Sequence, residues 1–167
     1  STILDKGGTL EELQSERGLS FDLGYDTFLD DSVTTYMISN VEVLNLSGPA
    51  SILSDIDCQI SDLTGIEDFG LLQSLSIDEH LLTEIDISNN PELDYFDCSQ
   101  NFLTDLDLSN NSYLRDVNCS NNQIKCIDIS QNTQLDYFWA VGNELQCVTV
   151  MDESISQEIA IRCWNDA

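Results

Sequence analysis

Residues 82–144 read LTEIDISNNPELDYFDCSQNF, LTDLDLSNNSYLRDVNCSNNQ and IKCIDISQNTQLDYFWAVGNE when the chain is cut into steps of 21. The three segments align with one another, and a fading copy, LQCVTVMDESI, follows them. Repeats of about 20 to 50 residues are typical of solenoids, in which one unit cannot bury its apolar face but stacked units make a continuous core. The period therefore predicts a solenoid.

Each segment is itself double, with an A half of 11 residues and a B half of 10 that share the template L-x-x-L-x-L-x-x-N. The A halves begin at Leu82, Leu103, Ile124 and Leu145, and the B halves begin at Leu72, Leu93, Leu114 and Leu135. Apolar residues at template positions 4 and 6 are two apart, which is the alternation of a strand. Parallel strands are expected on one or both faces, and the spacing leaves open whether the B halves are true strands or extended segments.

Asparagine occupies position 9 of most halves. Its side-chain amide donates and accepts, so an inward asparagine at each turn would satisfy backbone groups of adjacent turns. The predicted ladder comprises Asn90, Asn111 and Asn132 in the A halves and Asn101, Asn122 and Asn143 in the B halves. His80 stands at the same position of the B half that starts at Leu72, and we expect its ring nitrogens to replace the amide.

The template resembles that of leucine-rich-repeat proteins. The alternation of L-D-C-S-x-N with L-D-[LIV]-S-x-N is most similar to secreted or surface bacterial proteins of the internalin-like kind. The resemblance covers residues 41–150 and implies a right-handed coil of stacked parallel strands, mostly strand and loop, that recognises a partner without catalysis. Related bacterial proteins often carry a cysteine in the last coil and another late in the chain, which favours a Cys147–Cys163 disulfide. Neighbouring turns lie about 4.8 Å apart, so Cys126–Cys147 is the alternative.

The two ends of the chain lack the regular repeat. Residues 1–40 are predicted to form an N-terminal cap with a short helix, because Thr9 and Glu12 have capping-box spacing. Residues 41–150 form the solenoid, in which Leu53 to Cys58 is expected to be an early B half. Residues 151–167 are expected to close the core as an irregular or helical C-terminal cap, so that all three parts make one structural domain.

The formal net charge is −26, from 31 acidic and 5 basic residues. Such a surface repels phosphate backbones and anionic lipids, which excludes nucleic acid and membrane surfaces as partners. No apolar run approaches the length of a membrane span, so no membrane insertion is expected. The charge is compatible with a basic protein partner or with Ca²⁺.

The outward positions of the B halves carry the candidate ligand-binding residues. These are Tyr95, Asp97, Asp116, Asn118, Tyr137 and Trp139. Exposed aromatic side chains on a rigid sheet are typical anchors for protein recognition, and rings beside amides and carboxylates also suit sugars. The alternative is that Trp139 packs locally, on Tyr137, Tyr95 or the C-terminal cap.

The outward position of the A halves repeats a carboxylate, at Asp86, Asp107 and Asp128. Like charges at neighbouring turns repel, so a Ca²⁺ ion bridging them is a weak candidate, and no other metal or cofactor is expected. The single histidine, His80, is assigned to the ladder, and no motif for catalysis remains. The sequence favours a secreted or surface-attached bacterial module for protein recognition or adhesion. Carbohydrate binding, or a spacer within a longer surface protein, is the alternative.

Overall fold

The computed structural model describes residues 40–47, 60–151 and 160–162. These ranges contain three-residue strands, which are β1 Val43–Asn45, β2 Ser74–Ser76, β3 Tyr95–Asp97, β4 Asp116–Asn118, β5 Cys126–Asp128, β6 Tyr137–Trp139, β7 Cys147–Thr149 and β8 Ala160–Arg162. A 3₁₀ turn, Ile66–Asp68, is the one helical element found in them.

The B halves supply the main sheet. Strands β1, β2, β3, β4, β6 and β8 lie side by side in that order and are all parallel; we call this the B sheet. Strands β5 and β7 form a second parallel pair, the A sheet. The parallel solenoid expected from the repeat is confirmed, and the B halves are true strands. The A halves that start at residues 82 and 103 run without strand pairing.

The core consists of the residues at which each strand turns its side chain inward. Phe96, Val117 and Phe138, the central residues of three successive B-sheet strands, are fully buried and lie opposite one another in register. Cys98 and Cys119 occupy position 6 and are also fully buried, as expected for small core residues. Burial raises the pKa of the Cys98 thiol well above its usual value, so this side chain stays protonated and inert.

The C-terminal end of the solenoid differs from the sequence prediction, and most of the N-terminal end lies outside the described residues. The segment after residue 150 is not wholly irregular or helical, because β8 pairs with β6 and places Ile161 opposite Phe138. The expected N-terminal cap and the predicted B half from residue 53 to 58 lie outside the described residues. Strands β1 and β2 pair directly.

A disulfide joins Cys126 to Cys147 on the exposed side of the A sheet, with their Cα atoms 4.7 Å apart. The Cys147–Cys163 bond favoured by the family resemblance is therefore wrong. The register of β5 and β7 places the two cysteines directly opposite each other, and the sulfur of Cys147 can bond only one partner. Cys163 itself lies outside the described residues.

The B-half asparagines bond two neighbouring turns at once. The Asn101 side chain accepts the backbone N–H of Leu82 at 3.0 Å and donates to the carbonyl oxygen of Ile77 at 2.8 Å. Asn122 repeats both bonds one turn later, with Leu103 and Cys98. Asn143 repeats them again, with Ile124 and Cys119.

The A-half asparagines use only their amide hydrogens. Asn111 donates from Nδ2 to the carbonyl oxygens of Ile87 and Asn90, at 3.0 and 2.9 Å. The Oδ1 atoms of Asn90, Asn111 and Asn132 are buried and accept no hydrogen bond from the described residues. The A ladder therefore binds carbonyl groups alone, whereas the B ladder binds both kinds of backbone group.

His80 takes the place of the asparagine at the first rung of the B ladder. It is 4% exposed, its Nδ1 accepts the backbone N–H of Ile60 at 3.2 Å, and its Nε2 lies against the carbonyl oxygen of Leu46. These bonds assign the proton to Nε2 and reproduce the accept-and-donate pattern of Asn101.

Each B-half loop contains a residue in the left-handed backbone region at position 8. Glu79, Gln100 and Asn121 have φ angles of 61°, 55° and 56°, and Gly142 has a φ of 77°. A side chain at Gly142 would also place its Cβ 2.3 Å from Oδ1 of Asn121. Three other residue types hold this backbone at the earlier turns, so the close approach of Asn121 is what favours glycine at residue 142.

Replacing His80 with alanine is expected to lower the free energy of unfolding by about 1–3 kcal/mol, because the buried N–H of Ile60 and carbonyl of Leu46 lose their partner. His80→Asn is the matched variant, and its amide should recover most of this loss. Urea unfolding of the three proteins measures the effect. Equal losses in both variants would contradict the ladder role of His80.

Replacing both Cys126 and Cys147 with serine should lower the free energy of unfolding by about 2–4 kcal/mol, because the disulfide closes a loop of 21 residues. The same denaturant titration, run with and without reductant, tests this. Reductant should destabilise the wild type and leave the double variant unchanged. If reductant leaves the free energy of unfolding of the wild type unchanged, the disulfide does not stabilise the fold.

Candidate functional site

The six predicted binding residues lie together on the outer surface of β3, β4 and β6, which we call the outer B face. The strand register arranges them in two columns, Tyr95–Asp116–Tyr137 and Asp97–Asn118–Trp139. Alternate residues of a strand share a face, and the middle residues of these strands are buried. All six side chains therefore project away from the core.

The aromatic rings of the outer B face are accessible and partly self-packed. The rings of Tyr137 and Trp139 stack with centroids 5.4 Å apart and planes within 5° of parallel. Tyr137 is 48% exposed and Tyr95 is 37% exposed, while Trp139 is half-buried. The predicted local packing of Trp139 on Tyr137 is confirmed. It leaves a flat aromatic surface open to solvent.

The polar residues of the second column bond one another. Oδ1 of Asp97 accepts the backbone N–H and the hydroxyl of Ser99 at 2.9 and 2.7 Å. The Asn118 side chain donates to Oδ2 of Asp97 at 3.1 Å. The bond between these two side chains therefore links neighbouring turns on the outer B face.

Asp116 has a different environment. Burial and the charges of Asp136 and Asp94 raise the pKa of this carboxyl, and Arg115 opposes them. The Arg115 guanidinium lies 3.5 Å from the Asp94 carboxylate, so its positive charge acts on Asp94 as well as on Asp116. No hydrogen bond from the described residues reaches the Asp116 carboxylate. Burial also raises the pKa of the neighbouring Tyr95 phenol, with a further contribution from the charge of Asp97.

The aspartates of the A halves stabilise their own turns. Oδ1 of Asp86, Asp107 and Asp128 accepts the backbone N–H of the serine two residues later, each at 2.9 Å. The hydroxyl and the N–H of that serine lower the pKa of all three carboxyls. The repeated spacing D-x-S is the sequence signal for these turns.

The same three carboxylates are the predicted weak calcium candidates. They lie on successive turns, and one oxygen of each is already hydrogen-bonded in its turn. Throughout the described part of the chain, no group of three or more histidine, cysteine, aspartate or glutamate side chains is arranged to hold a metal ion.

A second acidic region lies near the 3₁₀ turn. It is a groove of about 370 Å³ whose lining includes Asp62, Glu67, Glu84 and Asp86 around the apolar side chain of Ile85. Asp62 and Asp86 each bond a turn of their own backbone. This groove was not predictable from the sequence, because its residues come from two separate turns.

The structure is similar to solved bacterial proteins. The functional domain of InlJ from Listeria monocytogenes, which includes a cysteine ladder, matches with a TM-score of 0.55 and 23% identity, covering 76% of this chain and 30% of that one. The internalin inlF from Listeria monocytogenes matches with a TM-score of 0.52 and 19% identity, covering 65% of this chain and 39% of that one. A leucine-rich-repeat protein of Leptospira interrogans matches with a TM-score of 0.51 and 22% identity, covering 53% of this chain and 24% of that one.

These similarities identify the fold as the leucine-rich-repeat solenoid of internalin-like bacterial proteins. The chain spans less than two fifths of the length of each of these proteins. No protein-family model and no curated protein matches the chain. In residues 40–47, 60–151 and 160–162, no helix has the length and apolar character needed to cross a bilayer.

Replacing Asp86, Asp107 and Asp128 together with asparagine should flatten the acid end of the stability profile. A carboxyl whose pKa is lowered by folding stabilises above its unfolded pKa of about 3.9, and this contribution is lost as the pH falls through the folded pKa.

Asparagine keeps the turn, as the bond from the Ser120 N–H to Asn118 shows at 3.2 Å. The stability difference, wild type minus variant, should therefore shrink as the pH is lowered from about 5 to about 2. Thermal melts across this range measure it. Parallel profiles would rule out the turn bonds as the cause.

Proposed function

We propose that this chain is a non-catalytic protein-recognition module that binds its partner through the outer B face. The observation that carries the proposal is the placement of Tyr95, Tyr137 and Trp139 on one face of one sheet, with the turn that carries Asp116 between Tyr95 and the other two. Aromatic anchors on a rigid framework provide contact area at little conformational cost. The internalin-like fold is consistent with such a role.

We further propose that the module works outside a bacterial cell or on its surface, where it serves adhesion. The exposed Cys126–Cys147 disulfide supports an oxidising setting. The net charge of −26 supports a protein partner with a basic surface, because complementary charge speeds encounter.

The absence of catalysis in this proposal rests on the single histidine. His80 is buried, and its Nδ1 accepts the N–H of Ile60 while its Nε2 lies on the Leu46 carbonyl. No histidine is left to act as a general base.

Carbohydrate binding is the second candidate, since the stacked rings of Tyr137 and Trp139 make a flat platform for a sugar. The aromatic row is interrupted between Tyr95 and Tyr137 by Asp116, which favours protein recognition. A spacer role would need no binding surface.

Trp139→Ala tests the proposal. The purified chain would capture basic extracellular proteins, and the affinity of a captured protein would be measured by interferometry for wild type and variant. Loss of a central aromatic anchor should weaken binding by about 30-fold, equivalent to about 2 kcal/mol.

Tyr113→Ala is the control, because Tyr113 is 50% exposed and lies in a loop of an A half, off the B sheet. It should leave the affinity unchanged. Equal affinity for wild type and Trp139→Ala would remove the outer B face as the site. Binding to a glycan array that Trp139→Ala abolishes, without a protein partner, would replace the proposal with carbohydrate recognition.

A further inference from the structure

Two tyrosines flank one carboxylate on the outer B face. Asp116 pairs in register with Tyr95 on one side and with Tyr137 on the other. Parallel strands lie about 4.8 Å apart, so the Cα atoms of the two tyrosines are about 10 Å apart, with Asp116 between them. We call this arrangement of Tyr95, Asp116 and Tyr137 the Tyr–Asp–Tyr slot.

The Asp116 carboxylate receives no hydrogen bond and no ion pair from the described residues. Asp97 is bonded by Ser99 and Asn118, as described above. The nearby cation, Arg115, pairs with Asp94.

The Asp116 carboxylate lies in a surrounding that is unfavourable to its charge. Burial and the negative charges of Asp136 and Asp94 disfavour its ionised form, which is why its pKa is raised. A carboxylate that has like charges nearby and no internal hydrogen bond departs from local consistency, and such departures are expected at functional positions. A cation placed beside it would remove the penalty.

We propose that the Tyr–Asp–Tyr slot binds the guanidinium of an arginine side chain presented by the protein partner. This inference rests on the proposed function and names the chemistry that the partner must offer. A guanidinium is planar, stacks on aromatic faces and binds a carboxylate through two parallel N–H bonds. The register places a tyrosine on the turn before and on the turn after the Asp116 carboxylate, so the same surface offers charged hydrogen bonds and aromatic rings to a guanidinium.

Other occupants fit the slot less well. A lysine ammonium is a compact, strongly hydrated charge that neither stacks nor binds in a bidentate manner. A metal ion would need several oxygen ligands, and Asp116 belongs to no such group among the described residues. A neutral sugar would leave the charge of Asp116 uncompensated.

The test is an NMR titration of the isotope-labelled full chain with the peptide acetyl-Gly-Gly-Arg-Gly-Gly-amide in about 150 mM salt, where diffuse attraction is screened beyond about 8 Å. We expect saturable shifts of the backbone amides of β3, β4 and β6. The peptide with citrulline in place of arginine has nearly the same shape without the charge and should produce no shifts. The lysine peptide should bind more weakly.

Asp116→Asn should weaken arginine-peptide binding by about tenfold, because the charged bonds to the guanidinium are lost. Its melting temperature should equal or exceed that of the wild type, which shows that the variant is folded. The control is Asp105→Asn, which removes the same charge at an exposed position of an A half and should leave binding unchanged.

Three results would overturn the inference. These are equal binding of the citrulline or lysine peptide, equal weakening in Asp105→Asn, and shifts confined to the acidic groove near Asp62 and Glu84. If Trp139→Ala weakens a protein partner while the arginine peptide moves no amide of the outer B face, the slot is wrong and the recognition surface stands. Peptide binding in the slot without any Trp139-sensitive partner would support the slot and contradict the proposed function.

Discussion

The structure depends on the hydrogen bonds that position 9 makes between neighbouring turns. Strands of three residues leave most of the backbone in turns, where buried N–H and carbonyl groups need partners outside any sheet. Asn101 and its equivalents provide these partners from one turn away, and this fixes the position of each turn relative to its neighbour. The in-register columns of the outer B face follow from this interior bonding.

Much of the fold could be predicted from the sequence because its determinants are local and repeated. The period, the inward positions and the role of His80 each follow from one template applied several times. The disulfide was mispredicted because the family resemblance outweighed the simpler argument from turn spacing, which places Cys126 opposite Cys147. The strand β8 was missed because the template ends at Val150 and β8 lies beyond it.

The candidate site was predictable as a set of positions and not as a set of interactions. The template places all six outer residues on one face. It does not determine which side chains already have partners, because that depends on the residue one turn away and on its rotamer. Asp97 bonds Asn118 and Tyr137 stacks on Trp139, whereas Asp116 has no hydrogen-bond partner among the described residues. The physical difference between these positions became visible only with coordinates.

The ladder hydrogen bonds span the same 21 residues as the sequence repeat, and this has an evolutionary consequence. Ladder contacts such as that from Asn111 to the Asn90 carbonyl connect residues 21 positions apart. A gene duplication or deletion of one whole unit would therefore preserve every contact type while changing the number of turns. Features of the surface, such as the separation of Tyr95 from Tyr137, can then change only in steps of about 4.8 Å, the height of one turn. Ligand geometry in such a scaffold is adjusted in discrete increments, and substitution at the outward positions does the finer selection.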